Sequence, residues 1–126
     1  MKICITASGH GLDARVDERF GRAPFFVLVD PDTMQHETIA NPAMDAGQGA
    51  GIAAAQSVAQ KGVNAVLTGF VGPKAYAALQ AAGIAIYDGL SAGMEVKTAV
   101  KNYSDGLLRR STGAQARKGS AGRGRS

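Results

Sequence analysis

The sequence predicts a single α/β domain built on a five-stranded mixed sheet with helices on its faces. Three observations carry that expectation. A chain of 126 residues has room for one domain, and a hydrophobic content of 45% is enough for a core. Short continuous apolar runs near the start read as buried strands. In the second half, segments of helical and strand-like spacing alternate under glycine and proline punctuation.

Ile3 to Ala7 reads as a buried first strand that breaks at Ser8-Gly9-His10-Gly11. Phe25 to Val29 is the second strand, and Pro31-Asp32-Thr33 supplies a turn. Gln35 to Ala40 is more polar, suits an edge strand paired as a hairpin, and ends at Asn41-Pro42. Gly49 to Lys61 then carries Ile52, Ala55, Val58 and Ala59 at helical spacing. Gly62-Val63 follows, the pattern of a left-handed glycine cap with an apolar residue after it. Ala65 to Thr68 is a short buried strand. Gly72-Pro73 opens a second helix with proline at its first position, where the missing N–H costs nothing. That helix ends at Gly83-Ile84, the same cap again, and Ala85 to Tyr87 is the last strand. Met94 to Leu107 places Val96, Val100, Tyr103 and Leu107 on one helical face, with Asp105-Gly106 loosening the end. Helices are therefore expected near 49–61, 73–82 and 94–106. The first three strands, joined by short turns, should be antiparallel neighbours, and the later ones parallel through right-handed crossovers. The arrangement is of the ribonuclease H-like kind, with Cys4 buried in its central strand.

Charge is unevenly distributed. Six of the 14 basic residues (Arg109, Arg110, Arg117, Lys118, Arg123 and Arg125) lie beyond Leu108, and no acidic residue does. Residues 1–108 keep eight basic and all 10 acidic residues, a net charge of −2. We expect a folded domain over 1–108 and a disordered basic tail over 109–126, because the tail lacks apolar periodicity. A tail of this kind most often only solubilises; its functional reading is a loose contact with an anion, a partner or nucleic acid. No apolar run reaches the roughly 18–20 residues of a membrane span, and the start has no signal-peptide apolar region. The expected location is cytoplasmic, with no membrane contact. A lone cysteine, Cys4, excludes an internal disulfide and a multi-thiolate metal site within one chain.

The loops that follow the first, third, fourth and fifth strands converge on one sheet edge, where open α/β sheets usually bind ligands. They bring Ser8, Gly9 and His10, then Arg15, Arg19 and Arg22, from the first. The third contributes Gly47-Gln48-Gly49-Ala50-Gly51 at a helix start, and the fourth Gly69, Gly72 and Lys74 at another. Asp88-Gly89 and Ser91 follow the fifth. Glycine-lined amides at two helix starts and up to four basic side chains describe an anion site. Each part alone has a bland reading: glycines are common at helix starts, and loop arginines are usually solvated. Their convergence makes the case. Catalysis has little support, since the first strand carries no carboxylate for a two-metal site. His10 and His36 lie on separate segments without a local nucleophile. His36 on a polar edge is expected to be solvated; His10, in the glycine turn, is the candidate imidazole contact.

One family comes into view through an ordered set of segments. Val16-Asp17-Glu18-Arg19-Phe20-Gly21-Arg22-Ala23-Pro24-Phe25-Phe26, then Asn41-Pro42, Gly49-Ala50-Gly51, Gly62-Val63-Asn64-Ala65-Val66 and Gly83-Ile84 resemble the dinitrogenase iron–molybdenum cofactor family. The resemblance covers roughly residues 1–108. It implies a ribonuclease H-like fold and non-catalytic binding of a pre-assembled, anionic metal–sulfide cluster. It favours a molybdenum–copper sulfide, with an iron–molybdenum-cofactor-type cluster as the alternative. Such a cluster brings its own sulfides, which suits a chain with one cysteine. Arg19 stands where nitrogenase-linked members often carry a histidine, so the resemblance implies no imidazole ligand from that position. Two rival classes stay open. One is a protein–protein adaptor for an assembly ATPase or another partner. The other is nucleic-acid binding, for which only the tail argues, because the chain has no Trp and its aromatics sit in core-like contexts.

Overall fold

In a computed structural model, residues 1–44 and 49–113 are described. Five strands and three helices occur in the order β1 (Ile3–Ala7), β2 (Phe25–Val29), β3 (His36–Ala40), α1 (Ala50–Gln60), β4 (Ala65–Leu67), α2 (Pro73–Ala81), β5 (Ala85–Tyr87) and α3 (Val96–Ser104). The sheet order is β3-β2-β1-β4-β5. Strand β1 pairs antiparallel with β2, which pairs antiparallel with β3. On its other side β1 runs parallel to β4, and β4 parallel to β5. The mixed sheet expected from the sequence is therefore present, with β1 at its centre.

Both faces of β1 are covered, which is why its residues are apolar without alternation. Cys4, Phe26, Leu28 and Val66 pack against α1 and α2 through Ala54, Val58, Ala75 and Leu79. Ile3, Ile5, Val27, Val29 and Leu67 face α3 through Val96, Ala99 and Val100. Gly62 and Gly83 adopt φ of 74° and 76°, and the N–H groups of Val63 and Ile84 return to the carbonyls of Val58 and Leu79. Those are the two caps that the glycine–apolar pairs announced. Cys4 is fully buried, and burial pushes its thiol far above the ordinary cysteine range. Native protein is accordingly expected to resist a thiol-reactive dye at pH 8 for hours, and to label fully in denaturant. Fast native labelling would mean that β1 opens.

Three expectations are corrected. The connection between β1 and β2 is not a short turn but the long segment 8–24, which folds back over the sheet edge. It bridges Val16 to Ala7, and the N–H of Ser8 donates to the Arg15 carbonyl at 2.9 Å. Helix α3 is shorter at both ends than 94–106. Met94 and the N-cap residue Glu95 bind the 8–24 segment instead, with the Val16 N–H on the Met94 carbonyl at 2.7 Å. Gly106, at φ 72°, turns the chain away, and Leu107 is 69% exposed rather than on the helical apolar face. Finally, the chain after Leu108 does not leave the domain at once. Arg110 bridges to Tyr87, the Ser111 N–H donates to the Ile86 carbonyl at 2.7 Å, and Gly113 lies against Tyr76. The open edge of β5 offers unpaired backbone groups, and 110–113 take some of them up. The rest of the expected tail, 114–126, lies outside the described residues.

Candidate functional site

The 8–24 segment reaches the sheet edge because buried hydroxyls hold it there. Thr6 and Thr68, both fully buried at the ends of β1 and β4, stand with their Oγ1 atoms 2.7 Å apart. Thr6 Oγ1 donates to the Asp17 carbonyl at 2.6 Å, and the Asp17 N–H donates to the Thr6 carbonyl at 2.9 Å. Further along, the Phe70 N–H donates to the Glu18 carbonyl at 2.7 Å and the Phe20 N–H to the Phe70 carbonyl at 3.2 Å. The β4–α2 loop and the 8–24 segment thus form a short backbone ladder. Phe20 anchors it from below, buried and stacked on Phe26 at 5.9 Å.

Above this ladder lies an open hollow of about 540 Å³. Arg19 to Arg22 form one wall, Gly49 to Ile52 at the start of α1 a second, and Phe70 with Gly72 to Ala75 at the start of α2 a third. The two helix starts come this close because Gly51 has no side chain: a β carbon there would stand 3.0 Å from that of Ala75. A β carbon on Gly21 would likewise meet the Gly51 backbone at 3.0 Å. Neither helix carries a side-chain cap or an acidic residue in its first turn. Their amide ends therefore point positive charge at the hollow, with no side-chain cap on them among the described residues.

Arg19, Arg22, Gly49, Gly51, Gly72 and Lys74 are the sequence-predicted residues that come together here. Ser8 and Arg15 line an adjoining depression beside Asp17 and Arg19, where Arg15 Nη1 donates to the Gly93 carbonyl at 2.7 Å. Gly9 and His10 are outside both; the His10 ring lies against Phe25 at 4.4 Å between centroids. Gly69 is packed under Glu18, so what it permits is a close approach of backbone to backbone. Sequence reasoning missed the apolar lining. Phe70, 47% exposed, and Ile52 face the hollow with Pro73. A phenylalanine set among glycines between a strand and a helix start was the available signal, since such a loop cannot bury a large ring.

Arg19 is not a free cation. Its guanidinium meets the Asp17 carboxylate through Nε at 3.2 Å and Nη2 at 3.1 Å, and its N–H donates to the same group at 2.9 Å. Partial burial pushes the Asp17 carboxyl up, but the hydrogen bonds and charge of Arg19 outweigh this and hold it below the ordinary carboxylate range. Asp13 pairs instead with Lys97 at 2.8 Å, and Glu18 accepts the Ala92 N–H at 3.0 Å. Arg22 Nη1 reaches the Met44 carbonyl at 3.4 Å. Among the described residues no group of three His, Cys, Asp or Glu side chains could hold a metal ion. The hollow offers N–H donors, cations and apolar surface.

A domain with this fold and this edge matches the model of the family described as dinitrogenase iron–molybdenum cofactor over residues 1–106, and the chain belongs to that family. Among solved structures it is similar to the apo form of the orange protein from Desulfovibrio gigas. That match is 47% identical with a TM-score of 0.85, covering 88% of this chain and 92% of the other. A NifB-like protein from Thermotoga, of the DUF35 family, is 31% identical with a TM-score of 0.74, over 86% and 91% of the two chains. An uncharacterized protein of Methanocaldococcus jannaschii is 34% identical over 76 residues, 58% of this chain. The match spans 64% of that relative's length.

Proposed function

We propose that this chain is a non-catalytic carrier that holds a pre-assembled, anionic metal–sulfide cluster, non-covalently, at the C-terminal edge of its sheet. The observation that carries the reading is the hollow itself: two uncapped helix starts and three basic side chains around apolar walls. A small, strongly hydrated anion loses water against Phe70 and Ile52 and should bind only weakly. A large sulfide-clad anion is weakly hydrated and tolerates apolar contact, so charge, amide donors and shape together suffice. Buried Cys4 and the absence of a ligand cluster among the described residues fit a cargo that arrives with its own sulfides. Family membership and the likeness to the orange protein support a metal cluster; within this proposal a molybdenum–copper sulfide stands ahead of an iron–molybdenum-cofactor-type cluster, as the resemblance of the sequence implies. The ribonuclease H-like assignment belongs to the same reading, with which the strand order β3-β2-β1-β4-β5 is compatible. Within the hollow we assign contact to Arg19, Arg22, Lys74 and the amides of the two helix starts, with Ser8, Gly9, His10 and Arg15 as an outer approach. A cytoplasmic site of action and hand-over to an assembly ATPase or similar partner complete the proposal; no described helix is long and apolar enough to cross a membrane.

Titration of the apo protein with tetrathiomolybdate and copper tests this. A stable visible absorption band that co-elutes with the protein is expected. Arg19→Ala or Arg22→Ala should weaken the binding about tenfold, the loss of ~1.4 kcal/mol for one charge-assisted contact. A colourless protein that shifts DNA in a gel would favour the nucleic-acid reading instead.

A further inference from the structure

The pairing of Asp17 with Arg19 has a consequence for the site. We infer that Asp17 is a built-in counter-anion: it neutralises Arg19 and opposes the incoming anion, so that it limits affinity and keeps the cargo exchangeable. This rests on the reading that the hollow takes an anion.

Asp17 is poorly placed to do anything else. Its backbone is held on both sides by Thr6, and Thr6 in turn by Thr68, so the segment that carries the carboxylate is tied to the sheet. Its side chain is only 10% exposed, whereas that of Arg19 is 66% exposed. The solvent-facing member of the pair is the cation. Both carboxylate oxygens are engaged, Oδ1 by the Arg19 N–H and Nε and Oδ2 by Nη2, which leaves Nη1 without a partner among the described residues. An anion entering the hollow therefore meets a guanidinium whose charge is already compensated by a fixed neighbour. Pairs with one partner in solvent contribute little to stability, which fits a role in tuning the field of the site.

The full-length protein and its Asp17→Asn variant would be titrated with tetrathiomolybdate and, separately, with inorganic phosphate, following the Arg19 Nε–Hε resonance. Asparagine keeps the side chain's shape and one acceptor, and the bonds to Thr6 involve the backbone of residue 17, so amide shifts are expected only beside residues 17 and 19. Removing the carboxylate charge that Arg19, a lining residue of the hollow, now faces should tighten both probes about fivefold once solvent and salt screening are allowed for. Asp13→Asn makes the same change in net charge at the Lys97 pair, away from the hollow, and should move both affinities by less than about twofold. Equal or weaker binding by Asp17→Asn, or an equal gain from Asp13→Asn, would overturn the proposal. So would the lack of any anion response at Arg19, since a counter-anion with nothing to oppose has no role. If phosphate binding tightens while tetrathiomolybdate leaves the hollow untouched, Asp17 keeps this role and the cluster reading falls.

Discussion

Replacing Arg22 and Lys74 together by alanine is expected to weaken tetrathiomolybdate binding about a hundredfold, whereas Lys61→Ala should change it by less than about twofold. The two cations stand on separate walls, Arg22 in the 8–24 segment and Lys74 in the first turn of α2. Charge-assisted hydrogen bonds contribute roughly 1.5–3 kcal/mol each when partly desolvated, and both side chains are exposed enough to take the lower end. Two such losses together correspond to about a hundredfold. Lys61 caps the far end of α1, where the helix dipole presents its negative pole. Calorimetry at fixed low salt measures the effect, and raising the salt should shrink the gap between wild type and variant. An unchanged affinity in the double variant would leave Arg19 and the helix amides as the whole site.

Gly69→Ala is expected to destabilise the fold by about 3 kcal/mol and to lower the melting temperature by roughly 10 °C or more. A β carbon at Gly69 would fall 2.7 Å from the Glu18 β carbon and 2.8 Å from its Cα and carbonyl oxygen. Two of those three are backbone atoms, and the Phe70 N–H fixes them from the same strand end at 2.7 Å. Nothing there yields cheaply. The ladder must part, taking Phe70 and Arg19 out of register, so anion binding should fall with stability. Gly72→Ala is the contrast: its φ is −68° and a β carbon meets nothing within 4 Å. It should cost less than about 1 kcal/mol, the scale of an N-cap preference. Thermal unfolding of both variants checks the pair.

Much of this architecture was legible because local and global preferences agree. The apolar run of β1 called for burial on both faces, and the caps at Gly62 and Gly83 marked the ends of α1 and α2. What escaped was decided by tertiary bonds. The 8–24 segment looks like a polar loop, yet Thr6, Phe70 and Met94 bind its backbone down against the sheet edge and α3. Those same bonds shorten α3, because Met94 and Glu95 serve the loop before the helix begins. The extension at 110–113 was invisible to composition, since Arg110 and Ser111 contribute backbone groups and their side-chain types carry no signal. At the candidate site, charge and glycine spacing pointed to the edge that carries the hollow. They could not separate Gly51, which lets two helices touch, from Gly69, which lets two loops touch, because both roles ask only for a missing side chain.

Residue-resolved shift mapping during titration with tetrathiomolybdate and copper tests the central claim most directly. The amides of Ala50 to Ile52, Lys74 and Ala75 should move together with the side-chain signals of Arg19, Arg22 and Phe70, all saturating at one stoichiometry. Shifts confined to the basic C-terminal segment, or scattered over β3 at 36–40 on the far edge of the sheet, would contradict a cluster seated between the two helix starts.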